Sequence, residues 1–313
     1  LISDSWGSGQ NHIITAQFHD SSGSKKGSTI SVYEYTNGLS LTSGQSAVLK
    51  NDDIVITFVT YDNNWRVNAQ RINSAGVKQG SAIDVCTATK CSTPYVEAFE
   101  NGGFIIGYTN MNDYNIYFQR FDASGAKVGS ETKVNSNTNV GNSGEVSITT
   151  FSDNSFAIAI NSNTNLAATG SGYDIVLQLF NTDATKNGDE IIVNTYSVDS
   201  QYSPEIASFS DNSFVVSWWS IDQAASNSGR DVYFQLFNTD GTKSGTETLI
   251  NNDLIHGNAH AQDIIVLNDN NFMTVYSSDD DDGGTYDNMN NVYGKVFDKF
   301  GKQILPRVNI SMD

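Results

Sequence analysis

Residues 277–291 read SSDDDDGGTYDNMNN, a dense run of side-chain oxygens. Ser278, Asp280, Asp282 and Gly283 form S-x-D-x-D-G, with Asp279, Asp281 and Asp287 alongside. Alternate oxygen ligands ahead of a glycine turn suit Ca²⁺, which takes about six to eight oxygens in a flexible geometry. The segment is not an EF-hand, because the twelfth position from Ser278 is Met289 rather than Glu and no flanking helices are expected. The alternative is an acidic loop that is only solvated or gathers cations loosely. Four consecutive aspartates repel one another, so some counter-ion is expected. His256 and His260 lie in NNDLIHGNAHAQD with Asp253 and Asp263 close by. H-x-x-x-H shares a face only on a helix, and this segment is not expected to be one, so a transition-metal site is not favoured.

Linear catalytic signatures are missing. The chain has no H-E-x-x-H, G-x-S-x-G, G-x-G-x-x-G or P-loop. Two carboxylates for glycoside hydrolysis can always be picked from 35 acidic residues, and sequence alone does not show which are close together. No catalytic residue is assigned on this reading. Trp65, Trp219, Tyr114, Tyr173 and Tyr286 stand in or beside the variable loops and could stack on sugar rings. Exposed aromatics at that rate are also ordinary.

Cys86 and Cys91 are the two cysteines. Their spacing suits a disulfide staple in a connecting loop, worth about 2 kcal/mol by loop entropy; the alternative is two free thiols. Asn309 in N-I-S is the one N-x-S/T sequon, a glycan acceptor if the chain enters a eukaryotic secretory route.

The 313 residues carry 17 Lys+Arg against 35 Asp+Glu, a net charge of −18. Such a surface repels phosphate backbones and anionic lipid headgroups, so nucleic acid is excluded as an expected partner, and cations or neutral polymers are favoured. No stretch approaches the roughly 20 apolar residues of a membrane span. The chain opens on Leu rather than Met, so a processed or truncated start is expected.

Whatever these residues do must be positioned by a repeat. NIYFQRFDASGAKVG at 115, DIVLQLFNTDATKNG at 174, DVYFQLFNTDGTKSG at 231 and RVNAQRINSAGVKQG at 66 are near copies, with looser ones at 12 and 291. Gly23, Gly76, Gly125, Gly241 and Gly301 mark the phase, with Ala184 at the remaining place, at steps of about 50 to 60 residues. Each unit predicts four short strands, rich in Val, Ile, Phe, Tyr, Thr and Trp and bounded by Asp, Asn, Gly or Ser. No sustained period near 3.6 predicts a helix.

A four-stranded antiparallel unit of this length, repeated about six times, predicts an all-β fold, a β-propeller of six blades with an incomplete first blade. One propeller domain is expected over 1–313, with units at about 1–36, 44–86, 93–136, 144–195, 203–252 and 261–310. Position six of the third strand is Phe18, Ile72, Phe121, Phe180, Phe237 and Phe297. The second strand ends in Trp6, Phe58, Tyr108, Ile160, Trp218 and Tyr276. Both series are expected in the core. The first unit lacks its first strand, so either one blade has three strands, the native chain is longer, or the ring is larger.

These units resemble the tandem repeats of large secreted bacterial and protist surface proteins, written roughly D-G-G-F-V-V-x-W, then Y-x-Q-x-F-x-x-x-G-x-x-x-G-x-x-x-x-V-N. Asp211, Phe214, Val215, Val216, Trp218, Tyr233, Gln235, Phe237, Gly241, Gly245 and Asn251 carry the match. The resemblance implies a secreted or cell-surface, adhesin-like and calcium-associated protein. The expectation is a non-enzymatic binding or structural module, contacting glycan or extracellular protein through one variable face. Alternatives are a self-assembling subunit of an extracellular filament or coat, a module beside further domains of a longer chain, and, less favoured, a polysaccharide-acting enzyme.

Overall fold

The computed structural model describes residues 2–6, 12–20, 22–35, 41–61, 63–136, 144–163, 172–224, 229–252, 258–278 and 291–311. Among the described residues there is no helix; the chain is strands and turns throughout.

Six sheets follow one another in chain order. The first is β1 (Ile2–Trp6), β2 (His12–His19) and β3 (Lys25–Tyr35). The second is β4 (Leu41–Val48), β5 (Ile54–Tyr61), β6 (Trp65–Ile72) and β7 (Ile83–Asp84). The third is β8 (Cys91–Ala98), β9 (Phe104–Asn110), β10 (Asn115–Phe121) and β11 (Lys127–Lys133). The fourth is β12 (Val146–Thr150), β13 (Phe156–Ser162), β14 (Asp174–Phe180) and β15 (Ile191–Ile192). The fifth is β16 (Gln201–Ser208), β17 (Phe214–Ile221), β18 (Arg230–Phe237) and β19 (Lys243–Leu249). The sixth is β20 (Ala259–Val266), β21 (Phe272–Ser278), β22 (Asn291–Phe297) and β23 (Gln303–Asn309). Every sheet is an antiparallel meander, three-stranded in the first and four-stranded in the rest. The fold is all-β, built of propeller blades.

Two compact units divide the chain, Leu1–Val134 and Asn135–Asp313. In the first, Ile14, Val32, Ile56, Phe58 and Ile72 join the first sheet to the second, and Val59, Val67, Val96, Phe104 and Tyr108 join the second to the third. In the other, Ala159, Leu177, Ile206, Val216 and Trp218 join the fourth sheet to the fifth, and Val215, Phe234, Ile264, Phe272 and Tyr276 join the fifth to the sixth. A lone sheet of this kind leaves an apolar face in water; stacking on the next sheet removes it.

The repeated phenylalanines have a second partner as well. Phe121, Phe180, Phe237 and Phe297 are buried, and each stacks on the aromatic that opens the neighbouring strand: Phe104 at 4.7 Å, Phe156 at 4.8 Å, Phe214 at 5.0 Å and Phe272 at 5.3 Å between ring centroids. Such pairs add about 0.5–1.5 kcal/mol each beyond buried area.

The glutamine of the repeat is structural. Between the third and fourth strands the register slips, as at Phe118/Arg120 and Phe234/Leu236. The freed carbonyls need donors. Gln235 Nε2 reaches the carbonyls of Leu236 at 2.9 Å, Ser244 at 3.2 Å and Gly245 at 3.4 Å. Gln119 does the same for Arg120, Val128 and Gly129, and Gln178 for Leu179 and Gly188. The second glycine of each motif turns the bulge at positive φ, 68° at Gly129 and 73° at Gly245. In the sixth sheet both are replaced together. Lys295 stands for the glutamine and Leu305 for the glycine, and the buried Lys295 Nζ instead donates to the Ile250 carbonyl at 2.5 Å and to Asn252 Oδ1 at 3.0 Å. At the turn position where the other units have glycine, Ala184 takes φ 70°.

Candidate functional site

The first strand of each sheet is where consecutive sheets approach, β12 against β16 and β16 against β20 in the second unit. Residues at one register of these strands therefore face a shared space. Four positions before the turn residues Phe151, Phe209 and Leu267 stand Ser147, Glu205 and Asp263. Glu145 lies two residues before Ser147.

These groups are bonded to one another across the sheets. Ser147 Oγ donates to Glu205 Oε2 at 2.9 Å, and the Ile206 amide donates to Ser147 Oγ at 3.2 Å. Glu145 accepts from the Ser203 amide at 2.5 Å and from Ser203 Oγ at 3.2 Å. Ser203 sits at φ 50°, at a register slip between Tyr202 and Glu205. A similar bulge recurs at Thr93 (φ 48°) in the third sheet, so it belongs to the repeat and not to this site alone.

Electrostatics separate the carboxyls. Loss of hydration pushes Glu205 up to about 8; the Ser147 hydrogen bond opposes this, and the charges of Asp263 and Glu145 add to it. Desolvation also raises Glu145, against the two Ser203 donors. Asp263 is raised for the same first reason, with the Ile264 amide opposing. Water still reaches Asp263, which is exposed, while its neighbours displace part of its hydration shell. Burial thus favours the protonated form of all three carboxyls, with the largest effect at Glu205. Neighbouring carboxyls held in unequal surroundings can divide acid and base roles.

An aromatic mouth adjoins the cluster through Ser203. Trp219 Nε1 donates to Ser203 Oγ at 3.1 Å. The Trp219 ring lies 4.6 Å from that of Tyr202, which lies 5.2 Å from Tyr173. His260 approaches Trp219 from the sixth sheet at 5.4 Å, and the Arg230 guanidinium sits 4.9 Å from the Trp219 ring centroid. Tyr173 is clamped in place: its amide donates to Ser200 Oγ at 3.2 Å and its carbonyl accepts from the Gln201 amide at 2.8 Å. Asn194 ties the same strands, donating to Asp174, the Tyr196 carbonyl and Gln201.

The aromatic candidates do not form one set. Tyr173 and Trp219 meet in this mouth. Trp65 pairs with Tyr61 at 4.7 Å in the first unit, and Tyr114 is half-buried in the β9–β10 turn of that unit. Tyr286 lies outside the described residues, as do Asp279, Asp280, Asp282, Asp287, Asp253 and His256; Ser278 is buried at the end of β21. His260 Nε2 lies 2.8 Å from Arg230 Nη1. Among the described residues no group of three or more His, Cys, Asp or Glu is arranged to hold a metal ion. Cys86 and Cys91 form a disulfide between β7 and β8, and Asn309 is exposed on β23. No helix of the described residues is long and apolar enough to cross a membrane.

No family model and no curated protein matches the chain by sequence. Its likenesses are structural. A protein of unknown function from Dyadobacter fermentans has a TM-score of 0.58 at 9% identity, covering 87% of this chain and 83% of that one. An ulvan lyase of a new polysaccharide-lyase family has a TM-score of 0.55 at 10% identity, covering 96% and 72%. A thermostable family-43 glycoside hydrolase has a TM-score of 0.47 at 12% identity, covering 88% and 96%.

Two expectations are corrected by these likenesses: the non-enzymatic binding or structural module, with its filament-or-coat alternative, and the judgement that the chain is not an enzyme. The fold is one that a polysaccharide lyase uses over most of this chain's length. Missing linear motifs excluded nothing here. The three carboxyls come from three successive sheets or their edges, about one repeat apart, and no short pattern could contain them.

Proposed function

We propose that the chain is a polysaccharide-cleaving enzyme that works by carboxyl acid–base chemistry. The carrying observation is the cluster of Glu205 on β16, Asp263 on β20 and Glu145 immediately before β12, with Glu205 holding its proton to about 8. Glu205 is the proton donor to the departing sugar oxygen. Asp263, open to water, is the partner that activates a water molecule. Glu145, fixed by the two Ser203 donors, orients the site. Tyr202 and Tyr173 offer aromatic surface to the sugar chain, beside a Trp219 ring that packs against Tyr202 and Arg230.

A polymeric substrate and the Cys86–Cys91 disulfide support a secreted or cell-surface setting. Ca²⁺ remains our proposal for the acidic loop after Ser278.

The test is release of reducing ends from a panel of plant, algal and microbial polysaccharides. Wild type is expected to cleave at least one. Glu205→Gln is expected to lose about 10²–10⁴-fold in kcat with a folded, soluble protein. A panel without any cleavage, or full activity in Glu205→Gln, overturns the reading.

A further inference from the structure

Arg230 is the outstanding charge in the mouth. Its Nη1 lies 2.8 Å from His260 Nε2. A guanidinium can only donate, so Nε2 accepts and carries no proton of its own. The guanidinium also lies over Trp219. Among the described residues Arg230 makes no ion pair with a carboxylate. In a chain of net charge −18, a half-buried guanidinium that pairs with no carboxylate among the described residues is suited to receive an anion.

We propose that the substrate is an acidic polysaccharide, and that Arg230, held in place by His260 and Trp219, binds a carboxylate or sulfate carried by one of its sugars. This rests on the polysaccharide reading above and names the substrate class. The guanidinium fork matches both anions with paired N–H donors. Tyr202 and Tyr173 supply the adjoining apolar faces for the sugar rings. A Glu205 that keeps its proton lowers the repulsion such a substrate would meet. The acidity of the rest of the surface makes the local cation necessary and leaves little nonspecific attraction for polyanions.

Binding separates this inference from the catalytic one. Oligogalacturonate, oligoguluronate and a sulfated oligogalactan are compared with carboxyl-reduced or desulfated counterparts by calorimetry, using wild type, Arg230→Gln and Arg230→Lys. Wild type is expected to bind at least one acidic oligosaccharide tenfold or more tighter than its neutral counterpart, with affinity falling as salt is raised. Arg230→Gln should lose that preference and keep the weak neutral binding, and Arg230→Lys should keep part of it. The response of the uronates against the sulfated galactan tells carboxylate from sulfate. Equal affinity for acidic and neutral forms, an unchanged preference in Arg230→Gln, or no binding to any acidic probe overturns the inference. Cleavage of a neutral polysaccharide with no acidic preference would sink this inference and leave the proposed enzyme standing. An acidic preference without any cleavage would do the reverse.

Discussion

Ser147 on β12 gives its hydroxyl hydrogen to Glu205 on β16 across 2.9 Å, joining two sheets through residues 58 positions apart in the chain. That bond stabilises the ionised form of Glu205 and partly offsets the desolvation that raises it. Ser147→Ala should therefore drive the Glu205 carboxyl higher still. On the proposed mechanism, the alkaline limb of the rate profile moves to higher pH while the acid limb, set by Asp263, stays. A pH profile of kcat on a cleaved polysaccharide reads both limbs. An alkaline limb that moves down, or does not move, contradicts this role for Ser147.

Stability should carry the same signature. A carboxyl with an ordinary value of 4.5 that titrates at about 8 in the folded protein binds a proton the unfolded chain has already lost. Stability contributed by that proton is complete below about 4.5 and is lost as pH rises toward about 8. Glu205→Gln removes the dependence, so the variant should be more stable than wild type at alkaline pH, by on the order of a few kcal/mol at most. Denaturant midpoints at about pH 5 and about pH 9, below and above the titration, provide the comparison. A wild-type stability flat across that window argues against a buried, protonated Glu205.

Gln235→Ala leaves the carbonyls of Leu236, Ser244 and Gly245 without their shared donor. The expected cost is about 1–3 kcal/mol, the penalty for stranding partly buried acceptors. A drop in Tm measures it. Exposed neighbours on the same strand pair, such as Thr246, should tolerate alanine within about 0.5 kcal/mol.

Ala184 holds a left-handed φ of 70° where the other units place glycine. Ala184→Gly relieves a Cβ clash worth about 1–2 kcal/mol, offset in part by the greater freedom of glycine in the unfolded chain. A net gain in stability is expected, read as a higher Tm. Destabilisation by this change would show that the turn is not strained.

The sheets were legible because their chemistry repeats. Phe121, Phe180, Phe237 and Phe297 occupy one column of the repeat, and one packing arrangement copied along the chain demands one residue type. Gln235 and its counterparts were equally visible, but their purpose needed the register slip between strands, which a strand pattern does not display. The site was hidden for the opposite reason. Ser147, Glu205 and Asp263 also share a column, yet each residue differs, and a change of type between repeats reads as drift. Polar residues at a fixed place in strands that are otherwise apolar, differing from unit to unit, were the available signal. Trp219 and Tyr173 were found through their loops. Arg230 and His260 were not joined, because their contact crosses from one sheet to the next.

The central claim is that burial, aided by the charges of Asp263 and Glu145, keeps Glu205 protonated through neutral pH. Its most direct measurement is the carboxyl titration itself, followed by carbon-13 shifts in protein labelled at glutamate side chains and assigned with Glu205→Gln. The account predicts an inflection for Glu205 near 8. An inflection near its ordinary value of 4.5 would contradict it.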